Sequence, residues 1–221
     1  MWLFTQNIKQ MNKIQLLVDN LDSWMVPYAI DFCENLNTDG YKSLMLHDHD
    51  EIENGDVLVL LSCEKKFTQF SKNKHNLIIH ESDLPQGKGW SPLTYQVLEG
   101  KKDIPMTLFE ADDSFDGGNI YLKDFIKLDG TELIEEIREK QAKKSFDLIH
   151  LFLKNHSKIK SKVQSGEESF YKRRRQSDSE LDINKSILEN FNVLRVVDNK
   201  RYPAYFIKNG VKYTLNIFKD G

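Results

Sequence analysis

Four short, almost continuous apolar runs constrain this chain most: Ile14-Gln15-Leu16-Leu17-Val18, Ser43-Leu44-Met45-Leu46, Val57-Leu58-Val59-Leu60-Leu61 and Leu77-Ile78-Ile79. A strand buried on both faces reads as a continuous apolar run rather than an alternating one, and such strands belong to parallel sheets covered by helices. After the first run, Trp24 to Leu36 carries Met25, Tyr28, Ala29, Phe32, Cys33 and Leu36 at helical spacing. Pro27 is tolerated in the first turn, and Gly40 is placed to end the helix. Strand-like runs alternating with helical segments predict an α/β fold, a mostly parallel sheet with helices on both faces. In such sheets the ligand crevice lies beyond the carboxyl ends of the strands.

Further along, Pro92 to Leu98 reads as a short helix ended by Gly100, and Ile104 to Phe109 and Asn119 to Leu128 as two more strands. The segment between these strands, Glu110 to Gly118, is too polar and glycine-rich to be one itself. Asp129-Gly130-Thr131-Glu132 reads as a capping box for a helix that presents Leu133, Ile134, Ile137, Phe146, Ile149, Phe152 and Leu153 and runs to about residue 154. The composition then shifts. Residues 155–169 are polar and read as a linker or an extended wrap. Asp178 to Asn192 is readable as a short helix, and Arg195-Val196-Val197, Ala204 to Ile207 and Tyr213 to Phe218 as strands, the last two joined by the hairpin signal Lys208-Asn209-Gly210. The expected organisation is one domain over residues 1–154, with residues 1–10 a marginal extension, followed by a linker and a small β-rich C-terminal appendage over 155–221.

The bulk numbers narrow the class. At 221 residues the chain can bury a sizeable core, and 39% hydrophobic with 29% charged residues describes a globular protein. A net charge of -3 argues against wrapping a nucleic-acid backbone. Cys33 and Cys63 lie in apolar surroundings, read as buried thiols of a reducing compartment, and lack metal-site spacing. The start, Met1-Trp2-Leu3-Phe4-Thr5, lacks the pattern of a signal peptide, and no run of 18 apolar residues follows, so a cytoplasmic protein is expected. His47-Asp48-His49 looks like a metal pair on paper, but with i, i+2 spacing and no third ligand it is expected to be solvent-exposed, and no metal is expected.

The chemistry is carried elsewhere. The fourth apolar run delivers His80 to the turn-rich segment Glu81-Ser82-Asp83-Leu84-Pro85-Gln86-Gly87-Lys88-Gly89-Trp90-Ser91-Pro92. A loop on a rigid scaffold is the usual place for a catalytic side chain. Downstream lies Phe115-Asp116-Gly117-Gly118. On the residues alone, His80 is also readable as a strand-end histidine bonded to a carbonyl, Asp116 as a turn residue, Ser82 as a loop stabiliser, and Lys172-Arg173-Arg174-Arg175 as a solvated charge run.

The two segments together resemble the 10-formyltetrahydrofolate-dependent formyltransferase family, which includes methionyl-tRNA formyltransferase and the nucleotide-sugar N-formyltransferases. In that family a histidine ends a central strand as His-x-Ser-x-Leu-Pro, followed by a glycine turn and Ser/Ala-Pro. Here His80, Ser82, Leu84, Pro85, Gly87, Gly89 and Pro92 match, and Asp116-Gly117-Gly118 matches the family aspartate roughly 35 residues on. The resemblance implies a Rossmann-like catalytic domain in which His80 and Asp116 are catalytic. It implies a folate cosubstrate near the ends of the third and fourth strands, at Ser62, with the loop of Asp112, Asp113 and Gly117 closing over it through main-chain groups.

The variant His-Glu-Ser-Asp-Leu-Pro-x-Gly-Lys-Gly-Trp-Ser-Pro is most similar to enzymes of pseudaminic-acid-type pathways, whose substrate is a UDP-linked 4-amino-4,6-dideoxy sugar. On that resemblance Ser82, Lys88 and Gly89 face the sugar side. The tail segment Phe170 to Asp182 is similar to one in which aromatic and basic residues approach the nucleotide, so Tyr171, Arg173 and Arg174 are candidates for it; arginine forks suit a pyrophosphate. The alternatives are a methionyl-tRNA formyltransferase-like enzyme, disfavoured by a short tail and mild acidity, and a non-catalytic folate or nucleotide-sugar binding protein. The tail aromatics Tyr202, Tyr205, Phe206, Tyr213 and Phe218 pack internally or form a homodimer face.

One position departs from the family pattern. The family places an asparagine two residues before the histidine to hold the formyl oxygen; here that position is Ile78, which cannot donate. Asn76 lies on the same strand face but, at about 3.3 Å per residue, about 13 Å from His80 in a regular strand, too far to substitute without a bulge.

Overall fold

The computed structural model describes residues 11–220. The expectation for residues 1–10 lies outside them. The apolar runs become strands β1 (Lys13–Leu17), β2 (Lys42–Leu46), β3 (Gly55–Leu60) and β4 (Asn73–His80), with helix α1 (Met25–Thr38) between the first two. Then follow β5 (Lys88–Gly89), α2 (Pro92–Leu98), β6 (Asp103–Glu110), β7 (Ile120–Lys127), α3 (Ile134–Asn155), β8 (Phe170–Tyr171), α4 (Ile187–Val196), β9 (Ala204–Lys208) and β10 (Val211–Leu215). Six strands form one mostly parallel sheet in the order β2-β1-β3-β4-β6-β7. The pairs β1/β2, β1/β3 and β3/β4 are parallel, as the continuous apolar runs predict.

The chain falls into two compact units. The first runs to Ile79 and takes in Leu108–Leu122 and Ser145–Gln164. Its centre is built from Ile14, Leu16, Leu17 and Val57–Val59, all fully buried, and Phe32 of α1 stacks on Phe146 of α3 with centroids 4.3 Å apart. Gly40 ends α1 with φ +92, a conformation glycine adopts at little cost. A second apolar cluster joins Leu17, Leu46, Ile52, Leu58, Leu60, Phe67 and Ala111, with Ile78 packed against it.

The second unit comprises His80–Thr107, Lys123–Lys144 and the described residues from Ser165 onward. The C-terminal hairpin β9/β10 is antiparallel, and its turn residues Asn209 and Gly210 both have positive φ, as Asn-Gly hairpins require. Leu194, Val197 and Ala204 form its small core.

Two sequence readings are corrected here. Arg195 and Val196 end helix α4 instead of forming a strand. β-Branched residues there suggested extended backbone, but the buried Arg195 guanidinium is held by the Glu132 carboxylate at 3.1 Å, and tertiary contact overrides propensity. Residues 129–132 are not the helix cap. Glu132 accepts the N–H groups of Asp129 and Gly130, whereas the start of α3 is closed by Glu136, which accepts the N–H of Leu133.

Candidate active site

His80 is the last residue of β4, and its side chain is buried. Its Nε2 lies 2.9 Å from the carbonyl oxygen of Gly87. A carbonyl only accepts, so Nε2 carries the hydrogen of this bond. The ring is therefore held at Nε2 by main chain, which suits both the strand-end reading and a catalytic one. The Ser82 carbonyl accepts from Thr107 Oγ1 at 2.7 Å; its own Oγ is buried and has no hydrogen-bond partner among the described residues.

The glycine turn that follows is paired with the tail. β5 and β8 run parallel, with Lys88 opposite Phe170 and Gly89 opposite Tyr171. The N–H of Gly87 donates to Ser169 Oγ (2.8 Å), that of Lys88 to the Ser169 carbonyl (2.9 Å) and that of Trp90 to the Tyr171 carbonyl (3.2 Å). Gly89 has φ +103, and a Cβ there would stand 2.4 Å from the Tyr171 carbonyl oxygen, so glycine is needed for the close approach of the two strands. The Lys88 ammonium, 6% exposed, pairs with Glu168 at 2.5 Å.

The basic tail segment is more than a solvated run. The Arg173 guanidinium stands 4.5 Å from the centre of the Trp90 ring, a cation–π distance. Arg174 is half-buried: it donates to the Asp178 carbonyl at 3.0 Å, its Nε has no hydrogen-bond partner among the described residues, and burial pulls its guanidinium pKa down. Burial, and then the acceptor Glu99, push the Tyr171 phenol up to about 12. Thus His80, Ser82, Lys88, Gly89, Tyr171, Arg173 and Arg174, far apart in sequence, all belong to the second unit.

Ser62, Asp112, Asp113, Asp116 and Gly117 belong to the first unit. Ser62 is exposed, with φ +51, after Leu61, whose N–H donates to the Leu17 carbonyl at 2.9 Å. The stretch just beyond it is held by the Asp19 carboxylate, which accepts the N–H groups of Glu64 (2.8 Å) and Lys65 (2.9 Å). Asp112 accepts the Ser114 N–H at 2.9 Å, and Asp113 is exposed. Asp116 has φ +49; its carbonyl and that of Gly118 both accept from Gln164 Nε2 at 2.8 Å. A Cβ on Gly118 would overlap the Glu110 carbonyl oxygen at 1.7 Å, so the second glycine of the pair is fixed by packing.

Glu110, at the end of β6, was not singled out in the sequence. Its carboxylate accepts the Asn76 N–H (2.5 Å) and the Tyr121 hydroxyl (2.8 Å) and faces His75 Nδ1 at 3.2 Å. The available signal was a carboxylate closing an otherwise apolar run. Ile78 sits in unbroken register opposite Leu60, with Asn76 opposite Leu58, so β4 has no bulge there and Asn76 stays four residues before His80. Its Nδ2 donates to the Phe70 carbonyl at 2.9 Å.

The His47/His49 reading is corrected in part. Both rings are half-buried rather than solvent-exposed: His47 Nδ1 lies 3.1 Å from the Val18 carbonyl, and His49 Nε2 lies 3.2 Å from Asp19 Oδ2. Among the described residues no three His, Cys, Asp or Glu side chains group as a metal site. Nor, among them, is any helix long and apolar enough to cross a membrane.

Residues 45–153 match the family described as formyl transferase. A stretch of 134 residues is 28% identical to the methionyl-tRNA formyltransferase of Finegoldia magna, covering 59% of this chain and 40% of that relative, so the match spans less than half of the relative's length. Among solved structures, methionyl-tRNA formyltransferase from Clostridium thermocellum superposes with a TM-score of 0.78 at 22% identity, over 96% of this chain and 94% of that one. A 4-N formyltransferase from Francisella tularensis gives 0.70 at 16% identity, over 96% and 99%. HypX from Aquifex aeolicus in complex with tetrahydrofolic acid gives 0.75 at 16% identity, over 94% of this chain and 38% of that one. These likenesses establish the fold.

Proposed function

We propose that this chain, whose residues 45–153 match the formyl transferase family, is an N-formyltransferase that moves a formyl group from 10-formyltetrahydrofolate to the amino group of a nucleotide-linked amino sugar. In this reaction the amine nitrogen attacks the formyl carbon, the bond from that carbon to folate N10 breaks, and the proton lost by the amine ends on N10. The step needs a base and a donor at the developing oxyanion. The reading makes His80 and Asp116 the catalytic residues and gives His80 the proton transfer. The cosubstrate is taken by the loop after β3, with Ser62, and by the Asp112–Gly117 loop; the solved HypX complex with tetrahydrofolic acid supports a folate on this fold.

The observation that carries the acceptor assignment is the tail strand β8, which pairs with the turn after His80 and brings Tyr171 and Arg173 to Lys88, Gly89 and Trp90. An arginine and aromatic rings beside a catalytic histidine suit a nucleoside diphosphate, and the 4-N formyltransferase of like fold supports an amino-sugar acceptor. We assign a UDP-linked 4-amino-4,6-dideoxy sugar as the acceptor and the cytoplasm as the place of action, in keeping with two free cysteines. No metal enters the reaction as written.

The second reading is methionyl-tRNA formylation, favoured by the identity shared with the Finegoldia magna protein and disfavoured by the net charge of -3. The test is a panel of UDP- and dTDP-linked amino sugars and initiator methionyl-tRNA, each incubated with 10-formyltetrahydrofolate and scored by mass. A gain of one formyl group on an amino sugar is expected. Formylation of the tRNA alone overturns the assignment, and binding without transfer to any acceptor makes the chain a non-catalytic binder.

A further inference from the structure

The bond from His80 to the Gly87 carbonyl raises the question of what holds that carbonyl. Gly87 lies in a turn with φ +72, and a Cβ on it would meet Ser82 Cβ at 2.9 Å and Tyr171 Cε2 at 3.0 Å. Gly87 has no side chain of its own with which to fix a peptide plane. The plane in question contains the Gly87 carbonyl and the Lys88 N–H, which point in opposite directions from one rigid unit. On one side the carbonyl accepts from His80 Nε2 at 2.9 Å. On the other the N–H donates to the Ser169 carbonyl at 2.9 Å. The preceding plane is held by the same residue, since the Gly87 N–H donates to Ser169 Oγ at 2.8 Å.

We propose that Ser169 is a positioning residue for His80: through its hydroxyl and its carbonyl it holds two consecutive N–H groups of the Gly87-Lys88 turn, and so aims the carbonyl that orients the imidazole. The flanking contacts hold Ser169 in place. On one side Glu168 pairs with the Lys88 ammonium, and on the other the Tyr171 carbonyl accepts the Trp90 N–H. The C-terminal tail therefore does more than offer residues to a second substrate. It completes the support of a histidine nearly ninety positions earlier in the chain. Ser169 touches no reacting atom; it acts on His80 through main chain alone. The catalytic part of this inference rests on the formyl-transfer reading, but the orientation of the ring does not.

The experiment uses the full chain labelled with 15N at histidine, with the His80 imidazole signals assigned from their loss in His80→Gln. In the parent protein Nε2 of His80 is expected to be the protonated nitrogen. Ser169→Ala removes one of the two anchors, and is expected to shift the His80 imidazole signals, to speed exchange of the Nε2 hydrogen with water and to lower kcat roughly tenfold with KM for both substrates within about twofold. Ser169→Thr keeps the hydroxyl and is expected to restore both the signals and kcat. Unchanged His80 signals in Ser169→Ala overturn the proposal, as does a loss in Ser169→Ala that Ser169→Thr fails to restore. A parent protein that transfers no formyl group ends the catalytic reading but leaves the imidazole measurement decisive for the role of Ser169.

Discussion

Tyr171 lies flat against Tyr95, with ring centroids 4.7 Å apart and planes 4° from parallel. Its hydroxyl donates to Glu99 at 3.0 Å, and its carbonyl holds the Trp90 N–H. One face of the ring is thus covered by α2, and the residue fastens the tail. Tyr171→Ala is expected to lower stability by about 1–3 kcal/mol and to raise KM for the acceptor, whereas Tyr171→Phe, which loses only the Glu99 bond, costs about 1 kcal/mol. Urea unfolding monitored by fluorescence, with KM for the acceptor, checks both; equal effects of the two variants would contradict the stacking role.

Gly89 is expected to tolerate no side chain. Alanine at φ +103 is strained, and its Cβ would drive the Tyr171 carbonyl away. Gly89→Ala should cost about 1–3 kcal/mol and release the tail to limited proteolysis near residue 170. A cleavage pattern like that of the parent would contradict the pairing.

Glu132 sets an acid limit on stability. Burial alone would raise its carboxyl, but Lys140 and the N–H groups of Asp129 and Gly130 hold it down to about 2. A carboxyl depressed below its unfolded value of about 4.3 adds stability that is present above that value and lost as pH falls through about 2. Glu132→Gln, which leaves the guanidinium of Arg195 buried without its counter-charge, is expected to cost about 3–5 kcal/mol at pH 7 and to flatten the fall in stability between about pH 4 and pH 2. Thermal melts of both proteins across that window read the difference.

The Cys63 thiol is pushed up to about 12 by burial and then by the nearby Asp19 carboxylate. Since the thiolate is the nucleophile, iodoacetamide should modify Cys63 slowly in the folded chain even at pH 9 and readily once the chain is unfolded. Rapid labelling of the folded protein at pH 8 would contradict this environment.

The legible parts of the fold are those where one residue type decides. Val57 to Leu60 can hardly be anything but an interior strand, and all four are buried. Strand β4 begins earlier than its apolar core, because Asn73, His75 and Asn76 find partners on other elements: Gln15 donates to Asn73, and Glu110 takes the Asn76 N–H and faces His75. Polar side chains satisfied over long sequence distances look like loop in the sequence. The pairing of β5 with β8 was illegible for a different reason. Two strands of two residues each carry no periodicity, and Ser169 is a plain serine in a polar stretch whose role exists only through a glycine turn 82 residues earlier. His80 and Asp116 stand out as candidates only because their surroundings follow a family pattern, not from any local propensity.

The central claim is that His80 performs proton transfer in formylation. Formyl transfer to the best acceptor of the panel, followed by mass under single-turnover conditions, tests it in the parent and in His80→Ala, with far-ultraviolet circular dichroism and a thermal melt to show that the variant is folded. The expected result is a folded His80→Ala protein that still binds both substrates but transfers roughly 10²–10⁴-fold more slowly. Transfer at the parental rate by folded His80→Ala would contradict the account.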